Sequence, residues 1–190
     1  RQREFMTMMA RNVRSLARFA TDVLAISRLD SGKRVLTPKK LALAEIVNAT
    51  VDLLGAKARD KGSTLRSEVS SEAQAIADAD GLAEILTNLI DNAIAHTPAG
   101  STITVRDGEV RGGFLPLTVA DDGPGIPEEE QEKVFKKFYQ YARKTGPGYQ
   151  GTGIGLAVCK SLAEKMGGHV HLASAPGEGA TFTIDLPARP

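Results

Sequence analysis

Two segments of alternating residues, STITVRD (101–107) and FLPLTVA (114–120), are separated only by the glycine-rich turn GEVRGG (108–113). Alternation at period two, rich in β-branched and aromatic side chains, marks half-buried strands, and so short a connection joins them antiparallel. A lone hairpin is marginal in water and needs a second layer over its apolar face. The C-terminal segments HVHLASA (169–175) and TFTIDLP (181–187) repeat the pattern, with Phe182, Ile184 and Leu186 on one face. TLRSEVS (64–70) alternates in the same way.

The stretches between these strands are helical in period. Phe5 to Leu29 carries an apolar stripe (Phe5, Met9, Val13, Leu16, Ala20, Val23, Leu24, Ile26) with Arg3, Arg11, Arg14, Arg18 and Asp22 between, and Gly32 is placed to end it. KRVLTPKK reads as an extended linker, because Pro38 blocks a helix. A second helix is expected from Leu41 to Lys61, stopping at Gly62, and a third runs through ILTNLIDNAIAHT, with Asp80 as its expected cap. EEEQEKVFKKF and Ile154 to Met166 supply two more. The expected fold is α+β: a two-layer α/β sandwich, its mixed, mostly antiparallel sheet covered on one face by helices and preceded by a long N-terminal helix.

Composition narrows the function classes. With 24 basic and 23 acidic residues scattered along the chain and a net charge of +1, no electrostatic footprint for nucleic acid stands out. No apolar run approaches the length of a membrane span. The single cysteine, Cys159, excludes an internal disulfide and reads as a small buried hydrophobe in a reducing compartment. The chain opens with RQREF in what reads as mid-helix, so a piece of a longer protein is expected.

Polar residues inside the third helix are the strongest functional signal. Ile85, Leu86, Leu89, Ile90 and Ala93 share a broad apolar arc, whereas Glu84, Asn88, Asn92 and His96 recur every four residues along its edge. Asparagine is a poor helix former, so two in one strip suggest use. An Asn carbonyl suits Mg2+, which takes one or two protein oxygens and fills its octahedron with phosphates and water. In DDGPGIP (121–127), Asp121 ends a strand ahead of Gly123 and Gly125. A carboxylate there can accept from an exocyclic amine, although Asp-Gly and Gly-Pro are also ordinary turn chemistry. GTGIGL (151–156) opens a helix with exposed N–H groups that suit phosphate. It lacks the preceding strand of a Rossmann motif and the Lys-Ser/Thr ending of a P-loop.

In order and spacing, NLIDNAIAHT, DDGPGIP, VFKKFY and GTGIGLAV resemble the N, first glycine, F and second glycine boxes of sensor histidine kinases. That family belongs to a wider ATPase group with gyrase, mismatch-repair and heat-shock chaperone members. The resemblance spans roughly residues 41–190, and DVLAISRLDSGK extends it into the preceding helix. It implies three segments: 1–31 as the second helix of a dimerisation and phosphotransfer hairpin, 32–40 as linker, and 41–190 as the catalytic ATP-binding domain.

By the same resemblance Asn92 is the Mg2+ ligand, Asp121 the adenine reader, and 140–150 a lid. Further nucleotide contacts carry over to His96, Gly123, Gly125, Ile126, Lys137, Tyr139, Arg143, Lys144, Gly151, Thr152, Gly153, Ile154, Gly155, Leu156 and Thr181. Hydrolysing members of the wider group commonly place a Glu base four residues before the metal Asn; here that position is Asn88, which takes no proton at neutral pH but can orient a nucleophile. Asn88 is therefore the catalytic candidate for transfer to a histidine rather than to water. Ala95 stands where many members have Lys, and Gln140 where Arg is frequent; Lys137, Arg143 and Lys144 are cations available near that site.

The implied partners are ATP with Mg2+, a second copy through the N-terminal helix, and a response-regulator receiver domain. The implied location is cytoplasmic, whether or not the parent protein is anchored in a membrane. None of His96, His169 and His171 sits in the family's phospho-acceptor context, so the acceptor is expected outside this chain. The alternatives are a degenerate nucleotide-binding module that signals without phosphoryl transfer and a hydrolysing ATPase, which Asn88 argues against.

Overall fold

The computed structural model describes residues 2–141 and 152–189. Helix α1 (Gln2–Asp30) enters first, and its two ends differ: Ile26 and Leu29 are buried in the main core, whereas Phe5, Met6, Met9, Val13 and Leu16 are exposed. Gly32 closes the helix in the left-handed region (φ 67), its N–H donating to Leu29 O at 3.1 Å.

Strand β1 (Lys39–Ala42) leads into α2 (Leu43–Lys61), β2 (Thr64–Glu68), β3 (Gln74–Ala77) and α3 (Ala79–His96). Then follow β4 (Thr102–Asp107), β5 (Phe114–Asp121), a single turn α4 (Glu128–Gln131), a 3-10 turn at Lys133–Phe135, α5 (Gly155–Lys165), β6 (His169–Ser174) and β7 (Ala180–Pro187). The main sheet runs β2-β4-β5-β7-β6, with β2 parallel to β4 and every other pair antiparallel. Register places Val105 opposite Val119, Val119 opposite Phe182, and Phe182 opposite Leu172, one apolar row across four strands. Helices α3 and α5 pack on each other and on this sheet, and α2 packs on α3 and β2. Leu82, Ile85, Leu86, Leu89 and Ile90 of α3 are fully buried beneath them. The expected two-layer sandwich is observed.

Three local expectations change. The helix α2 begins at Leu43 rather than Leu41, because Lys39–Ala42 stays extended and pairs antiparallel with Gln74–Ala77. Four-residue strands this short carry no periodicity of their own and exist through the pairing. The cap of α3 is Asp78, not Asp80: its Oδ1 accepts from Gly81 N–H at 2.8 Å. The opposite oxygen accepts from Thr37 N–H at 2.9 Å, which pins the linker to the helix start. Finally, EEEQEKVFKKF is not one helix, since Lys136 returns to extended backbone and Phe138 adopts φ 64.

Candidate nucleotide site

The site is built along α3. At its C-terminal end stands Asp121, the last residue of β5. Strand pairing sets it opposite Ile103 on one side and Ala180 on the other, on the same helix-covered face as Leu117 and Val119. A carboxylate in an apolar row loses hydration, and burial pushes the Asp121 pKa above the usual carboxylate value; the N–H groups of Gly123 and Ala180 and the neighbouring Asp122 charge are smaller influences. Gly123 N–H donates to Asp121 Oδ1 at 2.9 Å. A Cβ on Gly123 would fall 2.7 Å from that oxygen and 2.8 Å from Thr97 Cγ2, so only glycine leaves the space between loop and helix end open.

Gly125 and Gly179 are tighter still. A Cβ on Gly125 (φ 69) would lie 1.9 Å from Ala175 O, and one on Gly179 (φ 76) 1.9 Å from Asp121 O. The loop after β5 and the β6–β7 turn therefore touch backbone to backbone. Ile126, half-buried against the core, donates its N–H to Ser174 Oγ.

One to two turns back along α3, Asn88 and Asn92 are half-buried. Among the described residues the Asn92 carboxamide has no hydrogen-bond partner. Asn88 meets the start of α5: a Cβ on Gly155 would stand 3.5 Å from Asn88 Oδ1. Cys159, one turn further along α5, donates its thiol to Ile85 O at 3.7 Å and hydrogen-bonds the Asn88 side chain. Burial pushes the Cys159 thiol far above its ordinary pKa, so it stays protonated, the small buried hydrophobe expected. The amides that open α5 have no side-chain cap, and Ile154 N–H donates weakly to Thr152 Oγ1 at 3.4 Å. Such an end favours an anion. Gly153 (φ 68) lies against the end of the F box, its absent Cβ 2.7 Å from Tyr139 O and 2.8 Å from Phe138 C.

The structure thus brings together Asn88 with Gly155, Tyr139 with Gly153, and Asp121 and Gly123 with the end of α3. Ile154 is fully buried and Leu156 packs on the core, so both shape the wall from behind. His96, in the last turn of α3, presents part of its surface to solvent, yet its surroundings desolvate the ring and Lys61 repels a charge there, holding its pKa below the usual value. It is neutral at pH 7. The Tyr139 hydroxyl is taken by the Glu130 carboxylate, and Lys137 is exposed. Thr181 is not brought to the site: it pairs with Ala120 and Ala173, and strand alternation puts it on the face opposite Asp121. Ala180 occupies the row beside Asp121 instead. Arg143, Lys144 and Gly151 lie outside the described residues, as does most of the expected lid.

Thr97, Ala180, Ser174 and Gln131 were not singled out from the sequence. Thr97 was within reach, since it closes the helix that carries both asparagines. A shallow hollow over α4 lined by Glu128, Glu129, Glu132, Lys133 and Lys136 is the wrong chemistry for a triphosphate, because three carboxylates rim it.

Comparison with known proteins identifies the family. Residues 77–190 match the family model described as histidine kinase-, DNA gyrase B-, and HSP90-like ATPase. An uncharacterized sensor-like histidine kinase of Rhizobium meliloti is 35% identical over 99% of this chain and 36% of its own length. The circadian input-output histidine kinase CikA of Synechococcus elongatus is 34% identical over 98% of this chain and 25% of its own. The chain therefore spans only about a third or a quarter of these curated relatives. The crystal structure of full-length ShkA in complex with AMPPNP superposes with a TM-score of 0.83 at 28% identity, covering 98% of this chain and 38% of that one. The chain belongs to the histidine kinase-, DNA gyrase B- and HSP90-like ATPase family, and the domain it carries is the ATP-binding catalytic domain of the sensor histidine kinases.

Proposed function

We propose that this chain binds Mg-ATP and passes the γ-phosphoryl group to a histidine on a dimerisation helix outside it. The observation that carries the reading is the Asn92 carboxamide, half-buried and unpartnered among the described residues, on the strip between the open start of α5 and Asp121. Among the described residues no cluster of three His, Cys, Asp or Glu gathers, so a cation here takes an amide oxygen from the protein and the rest from phosphate and water. That donor set fits Mg2+, which supplies charge neutralisation at the phosphates when bound.

Asp121 accepts from the adenine amine, and the glycines at 123 and 125 admit the flat ring. The uncapped start of α5 holds the phosphates. Asn88, backed by Gly155 and Cys159, orients the incoming imidazole; an amide takes no proton, which suits a neutral imidazole nucleophile better than water. Catalysis is then positioning plus charge stabilisation.

Residues 1–31 serve as the second helix of a dimerising hairpin, 32–40 as linker, and 41–190 as the kinase domain. The exposed stripe of Phe5, Met6, Met9, Val13 and Leu16 supports pairing of α1 with a second copy. A receiver domain is the downstream partner, and the location is cytoplasmic. No helix among the described residues is long and apolar enough to cross a membrane. Ala95, where many members carry Lys, favours the second reading, a module that binds nucleotide and signals without transfer.

Calorimetric titration with ATP tests the site. Binding is expected in the micromolar to millimolar range typical of enzyme substrates, to require Mg2+, and to vanish in Asn92→Ala. Equal affinity with and without Mg2+ overturns the role given to Asn92.

A further inference from the structure

The loop that aims Asp121 is held by two side chains outside all four boxes. Ser174 ends β6, and register puts it in one cross-strand row with Asp121, separated only by Ala180. Its Oγ accepts from Ile126 N–H at 2.8 Å and donates to Gly179 O at 2.5 Å. From α4, the Gln131 carboxamide donates to Ile126 O at 3.1 Å and to Ser174 O at 2.7 Å. Gly177 N–H closes the same seam on Pro124 O at 2.8 Å. The loop from Asp121 to Ile126 is thus fastened at its far end by Ser174 and Gln131, and at its near end by Gly123 N–H on the Asp121 carboxylate.

The geometry points to Ser174 and Gln131 as positioning residues that set the base selectivity of the nucleotide site. The inference rests on the reading of Asp121 as the adenine acceptor. At ring position six adenine offers an amine and guanine a carbonyl, so a fixed carboxylate pairs with the first and repels the second. Discrimination of this kind needs the acceptor held in place, because a carboxylate free to turn toward solvent no longer leaves the wrong base unpaired. Loss of the Ser174 hydroxyl frees Ile126 N–H and Gly179 O together. The loop then relaxes, Gly123 leaves Asp121, and the carboxylate loses its fixed direction.

The test compares dissociation constants for ATP and GTP in the full chain and its variants. Ser174→Ala weakens ATP about tenfold, as expected for the loss of its two half-buried hydrogen bonds, and leaves GTP within about twofold, so the ATP/GTP preference collapses. Ser174→Thr keeps the hydroxyl and retains the preference within about threefold. Gln131→Met keeps shape without donors and reduces the preference in the same direction, which covers the case of a Ser174→Ala protein that fails to fold. Equal weakening of both nucleotides, or a lower Tm with the ratio intact, assigns these residues to packing alone and overturns the inference. A wild type without preference for ATP, or an Asp121→Asn variant that binds ATP as well as wild type, overturns the adenine reading itself and this inference with it.

Discussion

The two ends of the site on α3 are made differently. At the Asp121 end, the one proposed for adenine, the geometry belongs to the backbone: Asp121 sits in a strand register, and Gly125 and Gly179 bring two stretches of main chain closer than any Cβ permits. At the end proposed for the phosphates it belongs to side chains and a helix start: Asn88 and Asn92 project from a helix whose apolar arc is complete without them. Folding and chemistry separate along this line. A Cβ added at the glycines of the first end disturbs the fold, while side-chain changes at the second disturb function and leave the fold intact.

Gly125→Ala is the most severe way to probe this contrast. Its Cβ would stand 1.9 Å from a carbonyl oxygen in a left-handed conformation, so a loss of about 4 kcal/mol or failure to fold cooperatively is expected in urea denaturation. Asn92→Ala gives the opposite pattern. Mg-ATP binding falls at least about 100-fold, while stability holds or rises by about 0.5 kcal/mol, since Ala is the better helix former. An Asn92→Ala protein that melts well below wild type would break the contrast.

Asp121→Asn sits between the two. The carboxylate's pKa is raised by burial, so the native state holds its proton more tightly than the unfolded chain does. Stability from this group falls as pH rises from the ordinary aspartate value through the raised one, and ATP binding strengthens over the same window as the carboxylate ionises. Removing the charge is expected to weaken ATP about 30-fold at pH 7 and to leave Tm unchanged or about 2 °C higher, read by titration and by scanning calorimetry. Asp78 has the reverse sign. Chiefly the Thr37 N–H holds its pKa below the usual value, so its contribution is present above about pH 4 and is lost as pH falls through the lowered value. Asp78→Ala removes the cap of α3 and costs about 1 kcal/mol at neutral pH, with little cost once the wild-type carboxyl is protonated.

How much of this was legible follows the same division. The helix strip of Asn88, Asn92 and His96 is written in one periodic segment, and the hairpin strands announce themselves by alternation. The strands β1 and β3 were not legible, because Lys39–Ala42 and Gln74–Ala77 are made by pairing with each other rather than by their own pattern. The cap of α3 is ambiguous in sequence because Asp78 and Asp80 flank Ala79 and either can cap; the fold uses Asp78. The resemblance implies a contact at Thr181, but Phe182, Ile184 and Leu186 point to the core and strand alternation sends Thr181 to the other face. Ser174 and Gln131 lie 43 positions apart, and only the fold brings them onto one loop.

Phosphoryl transfer to histidine rather than to water is measured in trans. The chain is mixed with γ-labelled ATP, Mg2+ and a histidine-bearing hairpin whose second helix is residues 1–31. The expected result is acid-labile label on the hairpin, none on this chain, and loss of transfer in Asn92→Ala. Steady release of inorganic phosphate with no label on the hairpin, although ATP binds, would contradict the account.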